Sequence, residues 1–149
     1  MRAVVQRVSR AQVRVGDETV GEMGQGLLAL VGVGHEDADA DADELARKLV
    51  HLRVFEDDRG RMDRSLLDIG GTLGVVSQFT LFGDLRKGRR PSFGDAAAPG
   101  VAAPLVERVG AAASALGVTV VTGRFRATMA VELVNDGPVT LLVDTSKRF

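Results

Sequence analysis

The chain has 149 residues, 45% hydrophobic and 26% charged, with a formal net charge of −1. That balance excludes a disordered or membrane-embedded chain and fits one globular domain over residues 1–149. The near-neutral charge removes the electrostatic argument for a nonspecific nucleic-acid binder, and the absence of cysteine excludes disulfides, thiolate catalysis and Cys-based metal centres.

From the N-terminus, residues 3–8 and 11–15 read as two β-rich segments, the second alternating Val13 and Val15 with Gln12 and Arg14. Gln6 and Arg7 interrupt the first apolar run and no cleavage-site pattern follows, so no signal peptide is read there. Gly16-Asp17 supplies a turn into a strand near 19–23. Residues 27–33 are continuously apolar, as in a strand buried on both faces, and fall well short of the roughly 20 residues of a membrane helix. A cytoplasmic location without membrane contact is therefore expected.

Glu36 to Glu44 forms an acidic run ahead of Leu45, Leu49 and Leu52, which share one face of a helix. Acids in the first turn and Arg47, Lys48 and Arg53 later complement the helix dipole. The Asp-Ala alternation lacks a loop glycine and does not resemble a calcium loop. Beyond a turn at Asp57-Asp58-Arg59-Gly60, residues 73–81 read as an interior strand and 84–94 as a basic loop. Residues 101–116 carry helical periodicity ending at Gly117, and 118–121, 127–134 and 139–143 complete the strands. Strands gathered at both ends of the chain imply an α+β fold: a strongly curved mixed sheet or partial barrel flanked by two helices. No Gly-rich phosphate loop marks a doubly wound nucleotide-binding fold.

The catalytic inventory is thin. His35 and His51 lack zinc-ligand spacing and read as surface residues, and there is no GxSxG nucleophile elbow. Two polar clusters interrupt apolar strands. Ser77-Gln78-Phe79-Thr80 offers hydroxyls, an amide and a stacking ring at a strand end, with Ser77 and Phe79 on one face and Gln78 and Thr80 on the other. An ordinary strand end with a core Phe fits the same residues. Asn135-Asp136-Gly137-Pro138-Val139-Thr140 holds a Gly-Pro step at which main chain can approach a ligand, or serves as a plain turn. Arg86, Lys87, Arg89 and Arg90 form the one dense basic run, suited to phosphates or simply solvated.

Ser77-Gln78-Phe79-Thr80-Leu81 and Val134-Asn135-Asp136-Gly137-Pro138-Val139-Thr140, taken with the opening Val4-Val5-Gln6-Arg7-Val8-Ser9-Arg10-Ala11, Arg90-Pro91-Ser92-Phe93 and Thr122-Gly123-Arg124-Phe125, resemble the D-aminoacyl-tRNA deacylase family. Five colinear motifs span almost the whole chain. Asp63 stands where the family commonly has Asn, and Gly83 where it commonly has Ala. The resemblance implies a homodimer that hydrolyses the ester of D-aminoacyl-tRNA and needs neither metal nor cofactor. It makes Gly137-Pro138 a cis step that reaches into the partner's site, excludes L side chains and lets glycyl esters through, with Arg7 as its brace. Ser77, Gln78, Phe79 and Thr80 then line the pocket for the terminal adenosine and the ester, and Arg86, Lys87, Arg89 and Arg90 face tRNA phosphates. Backbone N–H groups near Phe79 and Thr80 supply an oxyanion site, and the adenosine 2′-hydroxyl assists. Thr80 as a covalent nucleophile is the second mechanism, and it needs a base. A non-catalytic β-rich tRNA-binding or assembly module is the alternative class.

Overall fold

The two N-terminal β segments form one strand. In the computed structural model, which describes residues 1–149, β1 (Arg2–Val15) runs unbroken through Ser9 and Arg10. Its two halves have different partners along one edge. Residues 2–8 pair antiparallel with β3 (Gly26–Gly32), and residues 11–15 pair with β2 (Glu18–Met23). β8 (Ala130–Asp144) covers the other edge of β1. Ala3 and Val5 of β1 join one core cluster, whereas Val8, Ala11 and Val13 join another, so the side-chain alternation changes parity where the β1–β8 register slips.

β3 behaves as its composition requires: Leu27, Ala29 and Val31 enter the larger core and Leu28 the smaller. The chain leaves β3 through α1 (Asp39–His51), which begins within the acidic run, where the Asp41 carboxylate accepts the Ala38 N–H at 2.9 Å. A short hairpin of β4 (Phe55–Glu56) and β5 (Met62–Arg64) follows. Next comes α2 (Leu66–Ile69), a single turn that adds a third helix to the two expected. Ser65 and Asp68 cap it reciprocally, hydroxyl to N–H at 3.2 Å and carboxylate to N–H at 2.8 Å.

β6 (Thr72–Ser77) then returns parallel to β3, and β7 (Thr119–Thr122) lies parallel to β6 after the crossover helix α3 (Pro99–Ala115). Parallel neighbours require such crossovers. α1 and α3 are tied to each other by Arg108, whose guanidinium reaches Asp43 at 2.8 Å and Asp39 at 3.1 Å. Leu45, Leu49, Leu105 and Val109 of these helices meet Val5, Leu27 and Leu73 of the sheet in the main core. The sheet order is β2-β1-β3-β6-β7, and β7 curls back toward β2. Gly21 allows that approach, since a Cβ there would lie 2.7 Å from Val121 Cγ1. The result is the α+β, strongly curved and nearly closed sheet expected from the strand order.

β6 stops at Ser77, not at residue 81. Gln78 N–H still donates to Val31 O at 2.8 Å, but the next carbonyl in that row, Val33 O, already accepts from Ala97 N–H at 2.9 Å. Phe79–Phe82 instead wind into a 3-10 turn, with Leu81 N–H on Gln78 O and Gly83 N–H on Thr80 O. The alternating placement of residues 77–80 on two strand faces is therefore replaced by a turn.

Candidate active site

A cleft of about 410 Å³ opens beside that turn. Val31 and Val33 from the end of β3 and Ala102 and Val106 from α3 form much of its wall. Three separate chain segments bring it its distinctive groups: Ser77 at the end of β6 with Phe79 just beyond, Phe93 at the close of the basic loop, and Phe125 with Arg126 after β7. Phe79 is 55% exposed, unusual for a ring with a core available to it, and stands edge-on to Phe93 with centroids 5.0 Å apart. A smaller recess of about 130 Å³ shares Ser77, Val106 and Phe125 with the cleft.

Gln78 and Thr80 do not line the cleft; in the turn beside it the Gln78 amide donates to the Thr80 hydroxyl. Thr80 Oγ1 is thereby used as an acceptor, which leaves its O–H free to donate outward. An amide cannot take a proton, so Thr80 has no base among its hydrogen-bond partners. The N–H groups of Phe79 and Thr80 open the 3-10 turn, where leading donors have no earlier carbonyl of the turn to bond.

The second cluster lies outside this cleft. β8 is one strand with a bulge, not two strands joined by a turn. Gln6 pairs with Thr140 and Val8 with Asn135, so one residue of β1 faces the four residues 136–139 of β8. Within the bulge the Gly137-Pro138 bond is cis and Gly137 has φ of +146°. A Cβ at Gly137 would stand 2.7 Å from Val139 N and 2.8 Å from Val139 Cγ2.

Two side chains hold this protrusion. Arg7 is the β1 residue opposite it, buried to 7% exposure, with Nε donating to Asp136 O at 2.8 Å and Nη1 to Val54 O at 2.7 Å. Asn135, which sequence reasoning left without a task, clamps its neck. Its Oδ1 accepts the Val139 N–H at 2.7 Å, while Nδ2 donates to Gln6 Oε1, Thr140 Oγ1 and Val139 O. An Asn four residues before a Val that needs an N–H acceptor is the available sequence signal.

Paired Asp84 and Ser92 main chains close the basic loop just ahead of Phe93. Arg86 folds back on Asp84 while its side chain stays exposed, with Nη2 to Oδ2 at 2.6 Å and Nε to Oδ1 at 2.9 Å. Its guanidinium holds the Asp84 carboxyl far below the usual carboxylate range, and its own pKa rises in return. Lys87, Arg89 and Arg90 are exposed and form no ion pair. His51 is exposed, and so is His35, whose Nε2 lies 2.5 Å from Gly94 O. No three His, Cys, Asp or Glu side chains gather where they could hold a metal ion.

The sequence profile of the family described as D-Tyr-tRNA(Tyr) deacylase matches residues 4–144. The chain belongs to that family. Its similarity to proteins named D-aminoacyl-tRNA deacylase runs the full length. The one from Roseiflexus sp. (strain RS-1) is 62% identical over 146 residues, 98% of this chain and 94% of the relative. The one from Symbiobacterium thermophilum is 57% identical over 149 residues, 100% of this chain and 99% of the relative. Among solved structures, one named "c-Myc DNA Unwinding Element Binding Protein" is 36% identical with a TM-score of 0.92, covering 97% of this chain and 99% of its own. Another, "Structural Analysis of a probable eukaryotic D-amino acid tRNA deacylase", has a TM-score of 0.80 at 19% identity, with 95% and 97% covered, and shares the fold. As a member of the deacylase family the chain is an ester-hydrolysing enzyme.

Proposed function

We propose that the chain hydrolyses the ester bond of D-aminoacyl-tRNA, releasing the D-amino acid and free tRNA, with residues 1–149 acting as one domain of a homodimer. The observation that carries this reading is the convergence of Ser77, Phe79, Phe93 and Phe125, from three distant segments, on one apolar cleft beside a turn whose leading N–H groups are open. The terminal adenosine enters the cleft and stacks among the three rings, and the preceding phosphates follow Lys87, Arg89 and Arg90, Arg86 being engaged by Asp84.

The N–H groups of Phe79 and Thr80 receive the carbonyl oxygen as it gains charge, a contribution of about 3–4 kcal/mol for a preorganised donor. Gln78 fixes the Thr80 hydroxyl beside them. With no base bonded to Thr80, a water attacks directly, assisted by the 2′-hydroxyl of the adenosine, and no metal or cofactor is enlisted.

Gly137-Pro138 acts as the chirality filter of the partner's cleft. The bulge does not line the cleft of its own protomer. β8 pairs only with β1, leaving one edge open, and exposes Val134, Leu141 and Leu142, the features of a face that another copy covers. Main chain at Gly137, held by Arg7 and Asn135, faces the aminoacyl Cα and leaves no space for an L side chain, whereas a glycyl ester passes. No helix is long and apolar enough to cross a membrane, and the tRNA substrate puts the enzyme in the cytoplasm.

The test is hydrolysis of D-tyrosyl-tRNA and L-tyrosyl-tRNA by chelator-treated protein. Rapid loss of the D ester alone is expected, and a substrate ending in 2′-deoxyadenosine reacts about 10²-fold slower or worse. Salt-sensitive tRNA binding with neither ester lost gives the protein to the RNA-binding module reading instead.

A further inference from the structure

Arg126 occupies a position that turn chemistry reserves for other residues. Ala127 N–H bonds back to Arg124 O at 3.2 Å, so residues 124–127 form a tight turn with Arg126 at its third place. There Arg126 has φ of +64°, a region that Gly or Asn fills without penalty and a long side chain rarely adopts. Local conflicts of this kind collect at binding sites.

The surroundings of Arg126 say what it is for. Of the residues lining the 410 Å³ cleft it is the one that carries a charge. Its neighbour Arg124 is paired with Glu18 at 3.1 Å, but Arg126 has neither an ion-pair partner nor a side-chain hydrogen bond within the chain. An unpaired guanidinium beside Phe79, Phe93 and Phe125 suits a ligand with a flat apolar group and an anion attached to it, and the guanidinium fork matches phosphate oxygens.

We infer that Arg126 is a binding residue for the phosphate on the 5′ side of the nucleoside in the cleft, which sets the depth at which the ester lies against the Phe79–Thr80 turn. This rests on the reading of the cleft as a nucleoside pocket. The two can fail separately.

Adenosine and adenosine 5′-monophosphate, titrated into the full-length protein, provide the test. The wild-type protein is expected to bind the monophosphate about fivefold to tenfold more tightly, an advantage that shrinks with added salt. Arg126→Gly and Arg126→Ala are expected to bind both ligands equally and to leave adenosine affinity within about twofold, while Arg126→Lys retains part of the preference. Arg126→Gly is also expected to melt no lower than wild type, since glycine suits the turn. A retained preference in Arg126→Gly, or equal binding by the wild type, overturns the assignment and leaves the nucleoside pocket standing. Failure of the wild type to bind either ligand at millimolar concentration overturns both.

Discussion

The cleft and the bulge are built in opposite ways. Around the cleft, Phe79 and Phe93 meet only through an edge-on contact, Phe79 is half exposed and the walls are small apolar side chains. Such a surface tolerates variation in what it stacks, because every base presents a π face. The bulge is instead held by hydrogen bonds at its two flanks, Asp136 and Val139. Arg7 holds Asp136 against the Val54 carbonyl, and Asn135 uses both ends of its amide to close the neck. Recognition of a nucleoside needs complementarity to a broad face, whereas rejecting one mirror image depends on main chain being held to a fraction of an ångström. The two constructions suit the two roles proposed for them.

The largest expected effect comes from making the bulge move. Gly137→Ala places a Cβ 2.7 Å from Val139 N at a φ of +146°. Its main chain must shift, and D-ester turnover is expected to fall about 10²-fold, with discrimination against the L ester reduced. Adenosine affinity stays within about twofold of wild type if the two regions are separate, a number equilibrium titration reads directly. Loss of adenosine binding in this variant would break the comparison.

Removing the brace comes next. Arg7→Ala leaves the Val54 and Asp136 carbonyls without their donor, at a cost of about 2–4 kcal/mol, and a chain of this size then melts about 5–12 °C lower. Calorimetry checks it, and Asn135→Ala is expected to show about half that loss. Phe79→Ala reverses the pattern. It weakens nucleoside binding by about 1–3 kcal/mol of stacking while changing stability by under about 0.5 kcal/mol, because the ring is already 55% exposed. The smallest effect belongs to the loop: Lys87, Arg89 and Arg90 all changed to Ala should flatten the salt dependence of tRNA binding by a log–log slope of about 2, with hydrolysis of a minimal aminoacyl-adenosine unchanged.

What could be read in the sequence divides along the same line. Regular elements with an apolar period were accessible: Leu27, Ala29 and Val31 of β3, Leu45 and Leu49 of α1 and Leu105, Val109 and Ala113 of α3 are core positions, whereas Leu52 falls past the end of α1 and Val101 and Leu116 are exposed. The 77–80 motif was visible as residues, but its shape was not, because the strand ends where the Val33 carbonyl is taken by Ala97, a property of the neighbouring chain. β1 read as two strands because polar Ser9 and Arg10 separate its apolar runs, and the backbone continues through them because β8 pairs with both halves. The bulge is a register event between Gln6 and Val8 on one strand and Asn135 and Thr140 on another. No local pattern encodes such a pairing. α2 did leave a signal, Ser65 and Asp68 at capping-box spacing, which a search tuned to longer helices passes over.

The claim that cleft and bulge meet across two protomers is tested most directly by mixing two damaged proteins. Phe79→Ala carries an intact bulge and Gly137→Ala an intact cleft, and each alone should be nearly inactive on D-tyrosyl-tRNA. After subunit exchange, half the dimers pair the two kinds, and each mixed dimer contains one site made wholly of undamaged parts. Recovery to about a quarter of wild-type activity is expected after exchange at equal concentrations. No recovery, with exchange verified by mass, would contradict it and put cleft and bulge to work within a single chain.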